Sequence, residues 1–410
     1  MTLTSPISDA AVGETHVRPF ADVRSLFPGA TQQVYLDIGV RGLLATPVRE
    51  AIEHHLDDQA AGTADKDALH DMVEDTRDRF ARFIHAQADE IAITKNVSEA
   101  LNLFAASLPW EKGDNVVLCT GIEHPNNVYL WYNLKARQGI EVREVAPLGG
   151  HVPVDAMIAA IDKRTRLVTA PHVSFSPGFI CDLRALAEGT RAHGALLLVD
   201  AAQSVGAMPV DVDELGIDAL AVATQKNMMS VYGTGFLYVR RDIADTLVPI
   251  HLARYGVDLG AAHETAVGSS SLTYQPGARR FDLGNYNYLG ATAANASLRL
   301  MESIGIERIG KHVQRLAARL ANGLLDHGLP VAGGRPGPHL AHLVAVGTTG
   351  GGSHDTADDP ATNALYRHLT ANNVRLSIRR GVLRFGVGMY NNESDIDRVI
   401  ELAAVSKTLR

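Results

Sequence analysis

The chain has 410 residues, 46% of them hydrophobic, and a formal net charge of −8 at pH 7. A chain of that size can bury a large core as one large and one smaller unit, and its acidic balance argues against nucleic acid or an anionic membrane surface as the main partner. Its two cysteines, Cys119 and Cys181, exclude a disulfide framework and suit a reducing compartment.

In chain order, residues 1–33 read as a polar arm with a short helix at 20–27. They lack the basic and apolar regions of a signal peptide, and no run of about 18 uncharged apolar residues follows, so a cytoplasmic protein with no membrane partner is expected. Helical spacing marks 74–84, a short apolar strand 90–94, and a helix 98–108. Strand and helix then alternate: strand 115–119, helix 128–138, strand 141–145, helix 154–160, strand 167–171, helix 183–193, strand 195–200. Two further strands fall at 219–223 and 235–239. This alternation predicts an α/β fold, a large, mostly parallel sheet sandwiched by helices, with a ligand at the carboxyl ends of the strands. Beyond about residue 290 the texture changes to helices 292–304 and 306–327, strands 341–346, 374–378 and 382–386, and a closing helix 393–406. The expected division is an arm (1–33), a large domain (34–288) and a small C-terminal α+β domain (289–410). The stretch 347–360, GTTGGGSHDTADDP, reads as a polar, mobile loop.

Two positions carry chemistry. In ALLLVDAAQSVG an apolar strand runs straight into Asp200, and a carboxylate there is costly unless it meets a cation or donors. It is either a cap or loop carboxylate or the partner of a protonated heterocycle nitrogen. In DALAVATQKNMMSVYGTGFLYV, Lys226 follows another apolar strand. Most lysines are solvated, but one buried here has a lowered pKa and forms an imine readily.

These two residues, with YLD at 35–37, SEALN at 98–102, GDNVVLCTGIEHPNNVYLW at 113–131, HVSFSPG at 172–178, RFDLGNYN at 280–287 and LRFGVGMYNNESDID at 383–397, resemble the class V aminotransferases of pyridoxal-phosphate (PLP) fold type I. That group includes cysteine desulfurases and selenocysteine lyases. The likeness runs in order over residues 35 to 400. It implies pyridoxal 5′-phosphate as cofactor, an amino acid or amine as small-molecule substrate, no metal, and a homodimer with active sites at the interface.

The resemblance also implies roles. Lys226 matches the Schiff-base lysine, which also moves the substrate proton. Asp200 matches the partner of the pyridine nitrogen, Gln203 that of the phenolic oxygen, and His124 the histidine stacked on the ring; the alternative for His124 is a packed core histidine. Val97 and Ser98 would meet the phosphate at a helix start. Gln225 stands where the family has a histidine, and Asn285 where it has a threonine reaching the partner subunit's phosphate. Arg384 matches the carboxylate clamp, against the alternative of a surface salt bridge. Arg375, Arg379 and Arg380 lie close enough in sequence that Arg379 is a second candidate for the clamp.

There are departures. Ala223 replaces a usual serine near the phosphate, and Phe175 an asparagine of the desulfurases. Desulfurases need a thiol on a loop of the C-terminal domain, and no cysteine follows Cys181. An aminotransferase is therefore expected, with a C–S or β-elimination lyase or an epimerase as the alternative, and not a persulfide-forming desulfurase. A non-catalytic regulator finds no helix-turn-helix segment, and a nicotinamide dehydrogenase no G-x-G-x-x-G turn. The acidic stretch 57–67 reads as a solvated loop, or less readily as a lure for a cationic substrate.

Overall fold

The computed structural model describes residues 18–260 and 272–406; the first 17 residues of the expected arm lie outside them. The strands are β1 (Val34–Tyr35), β2 (Ile91–Thr94), β3 (Asn115–Leu118), β4 (Glu141–Glu144), β5 (Thr165–Pro171), β6 (Leu196–Asp200), β7 (Ala219–Ala223), β8 (Gly235–Val239), β9 (Leu343–Val346), β10 (Val374–Arg375), β11 (Ser377–Arg379) and β12 (Val382–Gly386). Seven of them form one sheet in the order β2-β8-β7-β6-β5-β3-β4. Strands β3 to β7 are parallel, and β8 runs antiparallel to both its neighbours. The near-continuous apolar sequence of the central strands follows from burial on both faces. Successive side chains point to opposite faces. Val117, Val168 and Val199 accordingly enter the core on one face, and Val116, Leu167 and Leu198 that on the other.

The second layer is an antiparallel sheet, β11-β12-β9, backed by the helices Ile306–Asp326 and Glu393–Ser406. Residues just past the arm join it. β1 pairs in parallel with β10, and Asp37 bridges Gly386. Residues 34–37, which the sequence assigns to the large domain, thus hydrogen-bond to the C-terminal strands and lead directly back to the main sheet, where Gly42 N–H donates to the Gln225 carbonyl at 2.9 Å.

Several local expectations change. The region 20–27 splits into helices Phe20–Ser25 and Pro28–Gln32, since Pro28 suits a helix start and not a helix interior. The helix expected from 74 begins at Lys66, capped by Asp65, whose side chain accepts from Ala68 N–H at 2.8 Å. A helix Thr46–Ala61 precedes it. The acidic stretch 57–67 is therefore not a loop: its residues are exposed, but they belong to two helix ends and a short turn. The single strand expected at 374–378 is two, β10 and β11. Residues 347–359 do form a loop, and the helix Pro360–Ala371 follows it. No helix among the described residues is long and apolar enough to cross a membrane.

The loops after β6 and β7 touch each other at Gly206. Its φ is +91°, and an added Cβ would lie 2.5 Å from the carbonyl oxygen of Asn227. Only glycine allows both the conformation and the approach. Gly206→Ala is expected to cost about 1–3 kcal/mol and to displace the neighbouring Lys226 loop. Urea denaturation and a cofactor-binding titration check the two effects.

Candidate active site

The pocket is built at the carboxyl ends of β5, β6 and β7. Asp200 is the last residue of β6, in register with Pro171 of β5 and Ala221 of β7. It is 6% exposed, and one oxygen accepts from Ala202 N–H at 2.9 Å. Burial raises its pKa, and the charge of Lys226 opposes the rise. From the loop after β7, Asn227 donates from Nδ2 to the Gln203 carbonyl at 3.0 Å. That bond stitches the Asp200 loop to the Lys226 loop. Ser297 holds the next carbonyl, that of Met228, and Met229 N–H closes the turn on the Lys226 carbonyl at 2.9 Å.

Lys226 is surrounded by protein yet keeps some accessible surface. Burial lowers its pKa to about 8, against the attraction of Asp200 and with the help of Arg384's charge. A buried amine facing a buried carboxylate is thus poised to lose its proton near neutral pH.

His124 is only partly buried, which sets aside the packed-core alternative. Its Nδ1 accepts from Asn126 N–H at 3.2 Å, and its ring meets Phe175 edge to face with centroids 4.8 Å apart. Burial and the charges of Lys226, Arg384 and Arg380 lower it to about 4, so the ring is neutral at pH 7. Gln203 is 3% exposed; its Nε2 donates to the Gly39 carbonyl at 2.8 Å, and its Oε1 has no partner.

Val97 and Ser98 open the helix Val97–Ser107, and Asn96 caps it by accepting from Glu99 N–H at 2.9 Å. The first N–H groups of a helix have no intrahelical acceptor, so these residues offer donors to an anion. Gln225 is partly buried in the Lys226 loop. Asn285 is exposed and lines a cleft of about 430 Å³ with Thr94, Lys95, Gly233 and Thr234. Lys226 is not part of that lining.

Arg384, in β12, is 1% exposed and is no surface salt bridge. Its Nη1 donates to the Phe175 carbonyl at 2.9 Å, its Cζ lies 4.9 Å from the Phe175 ring centre, and its Nη2 has no partner. Burial lowers its pKa to about 10, which leaves it charged. Arg379 is already matched: its Nη1 lies 2.6 Å from Asp355 Oδ1. Of the two clamp candidates, Arg379 has a carboxylate partner, and Arg384 has none at ion-pair distance among the described residues and an unpartnered Nη2.

Sequence reasoning passed over two groups here. Glu123 is fully buried; Oε1 accepts from Asn127 Nδ2 at 3.0 Å and Oε2 is unpartnered. Burial, then the charge of Asp200, raises its pKa well above the usual carboxylate value. His342 precedes β9 and is fully buried, with both ring nitrogens unpartnered. Burial and the charges of Arg384 and Lys226 lower it to about 3. A carboxyl inside GIEHPN and a histidine at the mouth of an apolar strand were the available signals.

The buried carboxyl of Asp200, the unpartnered Oε1 of Gln203, the lowered Lys226 and the free helix start together suit PLP: a pyridine nitrogen, a phenolic hydroxyl, an aldehyde and a phosphate each need such a group. Val97, Ser98, Gln203, Asp200, His124 and Lys226 are the residues that would hold it. In the free protein, the Lys226 amine is expected to react with an amine-selective reagent with a midpoint near pH 8. At that pH about half of it would be unprotonated, against less than about 1% of a solvated lysine. Peptide mapping of the labelled protein across pH 6–10 checks this.

The comparisons agree. The family model described as "Aminotransferase class-V" matches residues 35–399. An uncharacterized aminotransferase of Bacillus subtilis, YcbU, is 31% identical over 383 residues, covering 93% of this chain and 96% of that one. The apo structure of a cysteine desulfurase from Thermococcus onnurineus NA1 superposes with a TM-score of 0.81 at 26% identity, covering 95% of this chain and 98% of that one. A C-DES variant solved with glycine covalently linked to its PLP cofactor superposes with a TM-score of 0.82 at 22% identity, covering 93% and 98%; that likeness is one of fold. With a family match over most of its length, the chain belongs to the class V aminotransferase family and is a PLP-dependent enzyme.

Proposed function

We propose that the protein is an aminotransferase acting at Cα of an α-amino acid. The observation that carries this reading is the pairing of Lys226, an amine lowered to about 8, with Arg384, a buried charged guanidinium with a free Nη2. Arg384 takes the substrate carboxylate and so fixes where Cα lies. PLP, when bound, supplies an electron sink for negative charge at Cα.

The chain's own residues do the rest. Lys226 would anchor the cofactor covalently, and its amine, when free, would carry the proton at the substrate Cα. Asp200 would pair with the pyridine nitrogen, the charge of Lys226 opposing the rise that burial imposes on its pKa. The neutral His124 ring covers the cofactor face without competing for the positive charge. Val97, Ser98 and Gln225 hold the phosphate, and Asn285 reaches the phosphate of the second copy in a homodimer.

A persulfide relay lacks its thiol. Residues 289–410 contain no cysteine. Cys119 and Cys181 are 1% and 4% exposed, and burial raises both thiols, Cys119 to about 11. Little thiolate therefore exists at neutral pH.

An amino acid added to the purified enzyme without a keto acid is expected to convert one equivalent of cofactor to its amine form and to release one equivalent of keto acid. Continuous release of ammonia with the aldehyde form restored would instead identify elimination, and scrambling of the Cα configuration without either product would identify epimerisation. Asp200→Asn is expected to lower kcat by about 10²-fold or more while leaving the thermal unfolding profile in place, as is usual for a group that acts on developing charge. An unchanged kcat would remove Asp200 from the site.

A further inference from the structure

Four arginines crowd the last strands of the small layer. Two are matched to carboxylates: Arg379 Nη1 at 2.6 Å from Asp355 and Arg375 Nε at 3.9 Å from Asp37. Arg384 and Arg380 have no carboxylate at ion-pair distance among the described residues. Arg380 stands in the tight turn between β11 and β12 with φ +50°, an uncommon conformation for a side-chain-bearing residue. That turn carries it across the cleft to the large domain, where Nη1 donates to the Gly121 carbonyl and Nη2 to the Glu123 carbonyl, the latter at 2.8 Å. These acceptors orient the guanidinium without cancelling its charge. The carboxyl of Glu123 is not at ion-pair distance from it, and one of its oxygens accepts from Asn127 Nδ2.

The two unmatched guanidiniums share one aromatic platform. The Cζ of Arg384 is 4.9 Å and that of Arg380 is 5.9 Å from the ring centre of Phe175. His124, over the expected cofactor position, meets the same ring. A substrate α-carboxylate satisfies one of the two cations. The other remains a partly buried charge with neutral partners only, a costly arrangement that a second anion would relieve. His342 adds an independent sign of a polar ligand beside Arg384: it is fully buried, and both ring nitrogens await a partner.

We propose that the site selects a dicarboxylic amino acid, and the matching dicarboxylic keto acid as acceptor, with Arg384 on the α-carboxylate and Arg380 on the distal one. Phe175 forms the wall between the two anchors and fixes their spacing. The inference rests on the α-amino-acid reading above.

The test uses holoenzyme and unreactive probes, succinate and glutarate against propionate, with binding followed by calorimetry and by perturbation of the cofactor absorbance. The better-fitting dicarboxylate is expected to bind at least tenfold more tightly than propionate. Arg380→Gln, which removes the charge, is expected to bring that ratio close to one, and Arg380→Lys to restore part of it. Thermal unfolding of each variant reports whether the turn survives. Equal binding of the three probes by the wild type overturns the proposal. So does a loss in Arg380→Gln that weakens propionate and succinate in the same proportion, since Arg380 would then be a latch between the layers. The two readings fail separately. If monocarboxylic amino acids convert the cofactor to its amine form as well as dicarboxylic ones do, aminotransfer stands and the second anchor falls. If no amino acid converts it, aminotransfer falls whatever the probe ratio.

Discussion

The site depends on one electrostatic arrangement: an amine and a carboxylate, both withdrawn from water, placed at the ends of neighbouring parallel strands where each feels the other's charge. Neither group would sit there in an isolated strand, because burying one charge alone costs several kcal/mol. Together they are tolerable: burial lowers the Lys226 amine, the charge of Asp200 opposes the fall, and the balance near pH 8 leaves it ready to act as nucleophile and base. The close approach at Gly206 and the bond from Asn227 to the Gln203 carbonyl fix the two loops to each other. Pocket geometry is therefore inherited from the sheet.

The second layer contributes cations. The chain enters it early, through β1 against β10, and returns to the main sheet through the Gly42–Gln225 hydrogen bond. Arg384 and Arg380 reach the pocket from β12 and from the turn before it, and Phe175 of the large domain receives both. The candidate site is thus a junction of two layers: on the proposed reading, proton chemistry belongs to the ends of the parallel strands, and recognition of anionic substrate groups to the antiparallel ones. Movement of one layer against the other would change recognition before it changed chemistry.

Legibility of the sequence followed how local each determinant is. Strands buried on both faces, such as 115–118 and 219–223, announce themselves as unbroken apolar runs, and Asp200 and Lys226 stand out because they interrupt or follow such runs. The helix Thr46–Ala61 went unread because Val48 is its only fully buried residue, so no apolar stripe of period 3.6 exists to be seen. The helix Pro360–Ala371 was missed although Asp359 followed by proline is a strong start signal: Asp359 accepts from Ala361 and Thr362 N–H. The preceding glycine-rich run masked it. Glu123, His342 and the reach of Arg380 were illegible for another reason. Their significance lies in contacts between residues far apart in the chain, such as Arg380 with Gly121, and no local pattern encodes these.

The most direct measurement of the central claim is mass spectrometry of borohydride-reduced holoprotein after proteolysis. The account predicts that one peptide, the one containing Lys226, carries the reduced cofactor, and that yield follows the fraction of cofactor bound. Reduced cofactor on a different lysine, or none on a protein that demonstrably binds it, would contradict the account.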